Sequence, residues 1–133
     1  MAFGVVSEGT KSFTAPAQQD LLNGYLVKAM STSAVSTSTA YEATIEVDKV
    51  DAAGDIPLCV GVNIGSTTSG NMATIFRDGL YYFNAGGAIA AGKLVGPTGA
   101  DPLAVKVVTP GSAIGKALSA AASGEEVLVA LNL

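Results

Sequence analysis

A spacing that occurs twice constrains this chain more than any other feature. Gly61 and Gly70 lie nine residues apart, and so do Gly115 and Gly124. Around them VGVNIGSTTSGNMATI aligns with IGKALSAAASGEEVLV, which sets Val60 against Ile114, Ile64 against Leu118, Ser69 against Ser123 and Ile75 against Val129. Upstream, LLNGYLV at 21–27 matches IAAGKLV at 89–95. The chain reads as two degenerate copies of one β unit. The first spans about 20–84 and is stretched by an insertion; the second spans about 88–131 and is compact. A plain β-meander with turns of similar length produces the same spacing.

The local pattern is that of strands. Val60, Val62 and Ile64 alternate with small or polar residues, the two-residue period of a half-buried strand. Gly65 to Asn71 is turn-rich, Met72 to Arg77 returns to β-formers, and Asp78-Gly79 before Leu80–Phe83 predicts a hairpin. Tyr25, Val27 and Ala29 share one face, as do Tyr41, Ala43, Ile45 and Val47. Leu103–Val108, Ala113–Leu118 and Glu126–Leu131 complete the set, with one helical turn expected at Ala120–Ala122. Ser31–Ala40 is low in complexity and reads as a loop, and Asp48–Pro57 as a polar excursion. Roughly nine short strands separated by turn signals predict an all-β sandwich or barrel with little helix; the expected fold is a small β-barrel or β-tulip-like domain.

Residues 1–19 stand apart. Phe3, Val5, Val6 and Phe13 are scattered among Gly, Ser and Thr, and Pro16 interrupts regular structure. With too few apolar residues for a core, the segment reads as an extended N-terminal arm, loose or ordered only against a partner. Residues 20–133 then form a single β domain.

Composition excludes several functions. The 133 residues include no His, one Arg (Arg77) and one Cys (Cys59), with net charge −4. No basic patch exists for nucleic acid. The commonest general base and metal ligand is missing, and Cys59, in an apolar strand context, reads as a buried small hydrophobe. No apolar run reaches the roughly 18 residues of a membrane helix, and the N-terminus lacks a signal peptide's basic segment and apolar core. Synthesis in a cytosol follows, and the final location does not. Only 14% of residues are charged, against roughly 25% in average soluble domains. A surface with so few charges fits one covered by partners, and equally a small-residue surface of no consequence.

The chemical motifs are incomplete. Gly87 to Lys93 has the glycines and lysine of a phosphate-binding loop, but Leu94 stands where Ser or Thr must hold magnesium, and Gly96-Pro97 precludes the helix. Glu46 to Val50 resembles the lysine hairpin of lipoyl carrier domains, yet Lys49 lies in the apparent insertion and not at a symmetric midpoint. Glu42, Glu46, Asp48, Asp51 and Asp55 concentrate acids without the spacing of a calcium loop. Glu125 and Glu126 are adjacent on a strand, so they point to opposite faces. The expectation is a non-enzyme with no cofactor, no metal and no small-molecule substrate.

VGVNIGSTTSGNMATIFRDGLYYF resembles the head decoration protein of lambda-like tailed phages. AGKLVGP followed by AIGKALSAAASGEEVLVAL is similar to a related capsid cement family of tailed phages. Together they cover about half the chain, at 60–83 and 88–131; the insertion at 31–57 departs from the compact pattern. The resemblance implies a homotrimer on the outer surface of a virus head, stabilising the capsid. It implies an arm contacting the major capsid protein, with Phe3, Val5, Val6 and Phe13 as the contact residues. A fibre, tail or surface adhesion module shares the composition, and a lipoyl-like carrier is the third reading.

Overall fold

In the computed structural model, residues 3–30 and 46–133 are described. The loop expected at Ser31–Ala40, most of the strand expected at Tyr41–Val47, and Glu42 lie outside the described residues. The strands are β1 (Gly4–Glu8), β2 (Ser12–Pro16), β3 (Leu26–Met30), β4 (Glu46–Lys49), β5 (Cys59–Ile64), β6 (Met72–Phe76), β7 (Asp78–Ala85), β8 (Leu94–Pro97), β9 (Ala104–Val107), β10 (Gly115–Ala117) and β11 (Glu126–Asn132). The only helix among the described residues is two 3-10 turns, Ala53–Leu58 and Pro110–Ser112. The all-β expectation with a small barrel holds.

Two sheets form, and they share one topology. In the second, β7 pairs with β11, β11 with β10, β10 with β8 and β8 with β9, all antiparallel. A parallel pair, Asn84–Ala104 and Ala85–Val105, closes β9 back onto β7. In the first, β2 pairs with β6, β6 with β5, β5 with β3 and β3 with β4, again antiparallel. There a parallel bridge, Ala17–Val47, brings β4 back to β2. Strand for strand, β2–β6 repeat as β7–β11.

The repeat extends to single bonds. Leu21 bridges Thr67 in the first unit as Ile89 bridges Ala121 in the second. Ala17 N–H donates to Asn71 O at 2.9 Å, and Ala85 N–H to Glu125 O at 2.8 Å. Gly24 and Gly92 adopt φ of 92° and 88°, Gly70 and Gly124 φ of 85° and 84°. These left-handed turns are why glycine recurs there. The helical turn expected at Ala120–Ala122 is instead extended chain, held by the Ala121 bridge.

The copies begin one strand earlier than the sequence suggests. Ser12–Pro16, read as arm, is the opening strand of the first unit, and Leu80–Phe83, read as its close, opens the second. The Asp78-Gly79 hairpin does not form. Both edges of β6 are occupied, by β2 and β5, so the chain crosses at Asp78 into the other sheet. Gly79 is still required, at φ 118°: a Cβ there would lie 2.7 Å from Gly9 N, Ser7 O and the Tyr81 hydroxyl.

The free N-terminal arm is overturned in the same way. β1 lies antiparallel along β7, and β2 pairs with β6 over its whole length. Backbone pairing supplies what the sparse apolar residues of this segment do not. Ala15 and Ala17 are buried in the first unit, beside Leu21, Val27, Val47, Ala73 and Ile75.

Outward-facing residues of the first unit join the units. Leu26, Val50, Cys59 and Val62 are 0–8% exposed, and they belong to the core that includes Tyr81, Phe83, Val95 and Ile114 of the second unit. Leu26 N–H donates to Pro102 O at 2.8 Å across this seam, and Gly99 rests on Ala53 and Ile56. Burying each large aliphatic side chain contributes about 1.5–3 kcal/mol, so the seam is a principal source of stability.

Candidate functional surface

The four residues expected to contact a capsid part company. Phe3 packs on the shared core, stacked on Tyr81 at 5.7 Å between centroids and tilted against Phe83 at 5.5 Å. Phe13 packs against the first unit's core. Both anchor the chain's own fold, a correction to the arm reading. Val5 and Val6 are different, at 42% and 52% exposed.

Their exposure has a backbone cause. Val5 pairs with Tyr81 and Ser7 with Leu80, leaving Val6 as the extra residue of a bulge. The bulge lets two consecutive valines face solvent. β1 is also the edge of its sheet, so it presents backbone donors and acceptors beside those valines.

The loop before β2 is fixed by Asp78, whose carboxylate accepts from Lys11 N–H at 2.9 Å and from the Thr10 hydroxyl at 3.3 Å. The Lys11 hydrogen bond leads in holding its pKa below the ordinary value. The Tyr81 hydroxyl donates to Asp78 O at 2.7 Å, and burial leads in raising its pKa.

The other chemical candidates resolve into structure. Burial pushes the Cys59 thiol up to about 12, which leaves it protonated at neutral pH. Lys49 is a β4 strand residue paired with Val27, not a hairpin tip, and its ammonium lies 3.9 Å from Asp51. Lys93 precedes strand β8 and no helix. Asp55 binds the Lys28 ammonium at 2.7 Å and accepts from Ala52 N–H at 3.2 Å. Glu125 accepts from Ala122 N–H at 2.6 Å, bracing a turn. Among the described residues no three of His, Cys, Asp and Glu converge, and no helix is long and apolar enough to cross a membrane. An apolar cleft of about 390 Å3 is lined by Phe13, Ala29, Cys59, Val60, Arg77 and Leu133. Arg77 is the one charged residue among these six.

The class defined by this fold is a two-unit all-β barrel module with an exposed edge strand. No family model matches the sequence, and no curated protein sequence matches it. Among solved structures, the chain is similar to the head fiber gp8.5 N base of bacteriophage phi29. The TM-score is 0.62 at 18% identity, over 92% of this chain and 93% of that one. At that identity the likeness is one of fold. It takes in both units.

Proposed function

We propose that this protein is a structural component of a tailed-phage virion, bound as a trimer to the outside of the head through contacts with the major capsid protein. The observation that carries the reading is the likeness to a phage head fibre base across nearly the full length of both chains. The resemblance of residues 60–83 and 88–131 to head decoration and cement proteins points the same way. The capsid-facing element is the β1 edge with Val5 and Val6. An edge strand binds by adding to a sheet, with backbone hydrogen bonds for affinity and alternate side chains for specificity. Three such edges on one trimer gain avidity through effective concentration, and selective binding to the mature shell stabilises that shell by mass action.

Co-sedimentation with purified phage heads tests this. The full chain should pellet with heads, and a Val5→Asp, Val6→Asp variant of unchanged melting temperature should remain largely in the supernatant. Failure of the full chain to pellet overturns the virion-head reading; undiminished pelleting of the variant removes β1 from the contact. The likeness to a fibre base in particular favours one second reading, in which the same module seats a fibre on the head. Antibody labelling of virions distinguishes them, through signal over the shell or at the root of projecting fibres.

A further inference from the structure

The opening strands of the two units have equivalent outer edges, and they are not paired alike. Phe13 pairs with Ile75 as Tyr81 pairs with Val129, so β2 and β7 match residue for residue. Arg77 N–H donates to Lys11 O and Ala17 N–H to Asn71 O, at 2.9 Å each. Successive residues of an antiparallel ladder alternate in direction. Phe13 and Ala15 therefore turn their backbone groups to β6, and Ser12 and Thr14 turn theirs away. The equivalents of Ser12 and Thr14 are Leu80 and Tyr82, which pair with β1 opposite Ser7 and Gly4. Among the described residues Ser12 and Thr14 have no such strand beside them. There β2 pairs with β6, and its other pairing is the single Ala17–Val47 bridge. Ser12 and Thr14 are exposed. The segment that precedes β2 is β1 itself, and it lies on the second unit.

The side chains repeat the contrast. β1 is led by Phe3, whose ring lies on Tyr81 and Phe83 of β7. The same positions on β2 are Phe13 and Ala15, so one ring is kept and the other is reduced to a methyl group. Phe13 is half-buried and forms one wall of the apolar cleft of about 390 Å3, with Ala29, Cys59 and Val60. An aromatic ring covers Tyr81 in the second unit, and a cleft lies against Phe13 in the first.

We propose that the outer edge of β2 is a docking site for an extended segment of a partner protein, led by an aromatic residue as β1 is led by Phe3. The segment adds antiparallel to β2, exchanges backbone hydrogen bonds with Ser12 and Thr14, and seats its ring on Phe13 in the cleft. Strand addition of this kind draws affinity from the ladder and specificity from the anchored side chain. β1 on β7 is the same contact made within the chain. Charge does not select the partner, because Lys11 and Arg77 near this edge are matched by Glu8 and Asp78. The site is separate from the outer edge of β1 and stands whether or not the protein binds heads.

Amide hydrogen exchange and chemical shifts of the full chain, read by NMR, test the site. The probe is the acetylated peptide FGVVSE, the sequence of residues 3–8. In the chain alone the Ser12 and Thr14 amides should exchange rapidly, and those of Phe13 and Ala15 slowly. The peptide should shift and protect Ser12 and Thr14. The same peptide carrying Phe3→Ala should bind about tenfold or more weakly, since it lacks the anchor. A Thr14→Pro chain should lose affinity for the unaltered peptide to a similar degree. Pro16 already places a proline nitrogen on this edge, so the fold should tolerate the change. The Phe3→Ala peptide leaves the protein untouched and keeps the test decisive if that variant does not fold. Protection of Ser12 and Thr14 before any peptide is added would show an edge already paired. Protection that grows with protein concentration would assign the edge to a second copy. Either result overturns the proposal, as would shifts confined to β1, no shift at the highest soluble peptide concentration, or equal binding of the two peptides.

Discussion

Phe3 stacks on Tyr81 with ring centroids 5.7 Å apart and planes inclined by 19°. Gly24 makes room on the other side, since any Cβ there would run into the Phe3 ring. An aromatic near the start of the chain is thus held between the two β units. Phe3→Ala should cost about 2–3 kcal/mol, less than a fully buried phenylalanine because the ring is partly exposed. Deleting residues 2–15 should leave an unfolded or aggregating chain, because it removes the partner strand of β6 and uncovers Ala73 and Ile75. Urea denaturation followed by circular dichroism measures the first and solubility the second. A soluble truncated protein with a wild-type melting temperature would restore the free-arm description.

Gly61 and Gly115 occupy the same place in the two units. A Cβ on Gly61 would collide with the carbonyl oxygen of Phe76, and one on Gly115 with that of Ala130. Gly61→Ala and Gly115→Ala should each destabilise by about 1–3 kcal/mol, the cost of overpacking against a backbone that cannot yield. Gly87→Ala is the control, since no atom lies within 4 Å of its added methyl group. Equal melting temperatures for all three variants would remove the steric argument.

Asn63 is fully buried, and its side-chain amide donates to Leu22 O at 3.1 Å and Gly65 O at 2.9 Å. Its counterpart is Ala117, so this polar group belongs to the first unit alone. Asn63→Ala should cost about 1–3 kcal/mol by removing two buried hydrogen bonds, with Leu22 O keeping only Tyr25 N–H and Gly65 O only the Thr67 hydroxyl. Asn63→Asp should cost more at pH 7, because it replaces a donor with a buried charge facing carbonyls. Burial raises the pKa of the introduced carboxyl, so the variant should regain stability relative to wild type as the pH falls. Thermal melts at pH 7 and pH 5 test the sign; a gap that does not narrow at pH 5 would contradict it.

The Lys28–Asp55 pair behaves in the opposite sense. Burial works to raise the pKa of Asp55, but the hydrogen bond and charge of Lys28 outweigh it and hold the carboxyl below its ordinary value of 3.8. A depressed folded-state pKa contributes stability that is present above 3.8 and lost as the pH falls through the folded value. Asp55→Asn should therefore lower the melting temperature at pH 7 and flatten its decline below pH 4. A variant that parallels wild type across the acid range would show that the pair contributes nothing.

The duplicated β unit was legible in the sequence because its glycines mark backbone geometry that side chains forbid. Gly24 and Gly92, Gly61 and Gly115, Gly70 and Gly124 align in sequence and superpose in role. The two-residue alternation of Val60–Ile64 likewise identified a strand. Those signals are local: each depends on a residue's own φ or its own face.

Partner choice is not local, and there the tertiary structure decided. Ser12–Pro16 carries the same weak alternation whether it pairs with this chain, another chain or nothing, and only the vacant edge of β6 makes it a strand of the first unit. Asp78-Gly79 has hairpin chemistry, but the strand it would fold back upon already has neighbours on both sides. The same physics divided the expected contact residues. Phe3 and Val6 are both apolar and three residues apart, yet the gap beside Tyr81 half-buries one, and a bulge on β1 turns the other to solvent. Exposure is a property of what packs alongside, which a sequence specifies only through the whole fold.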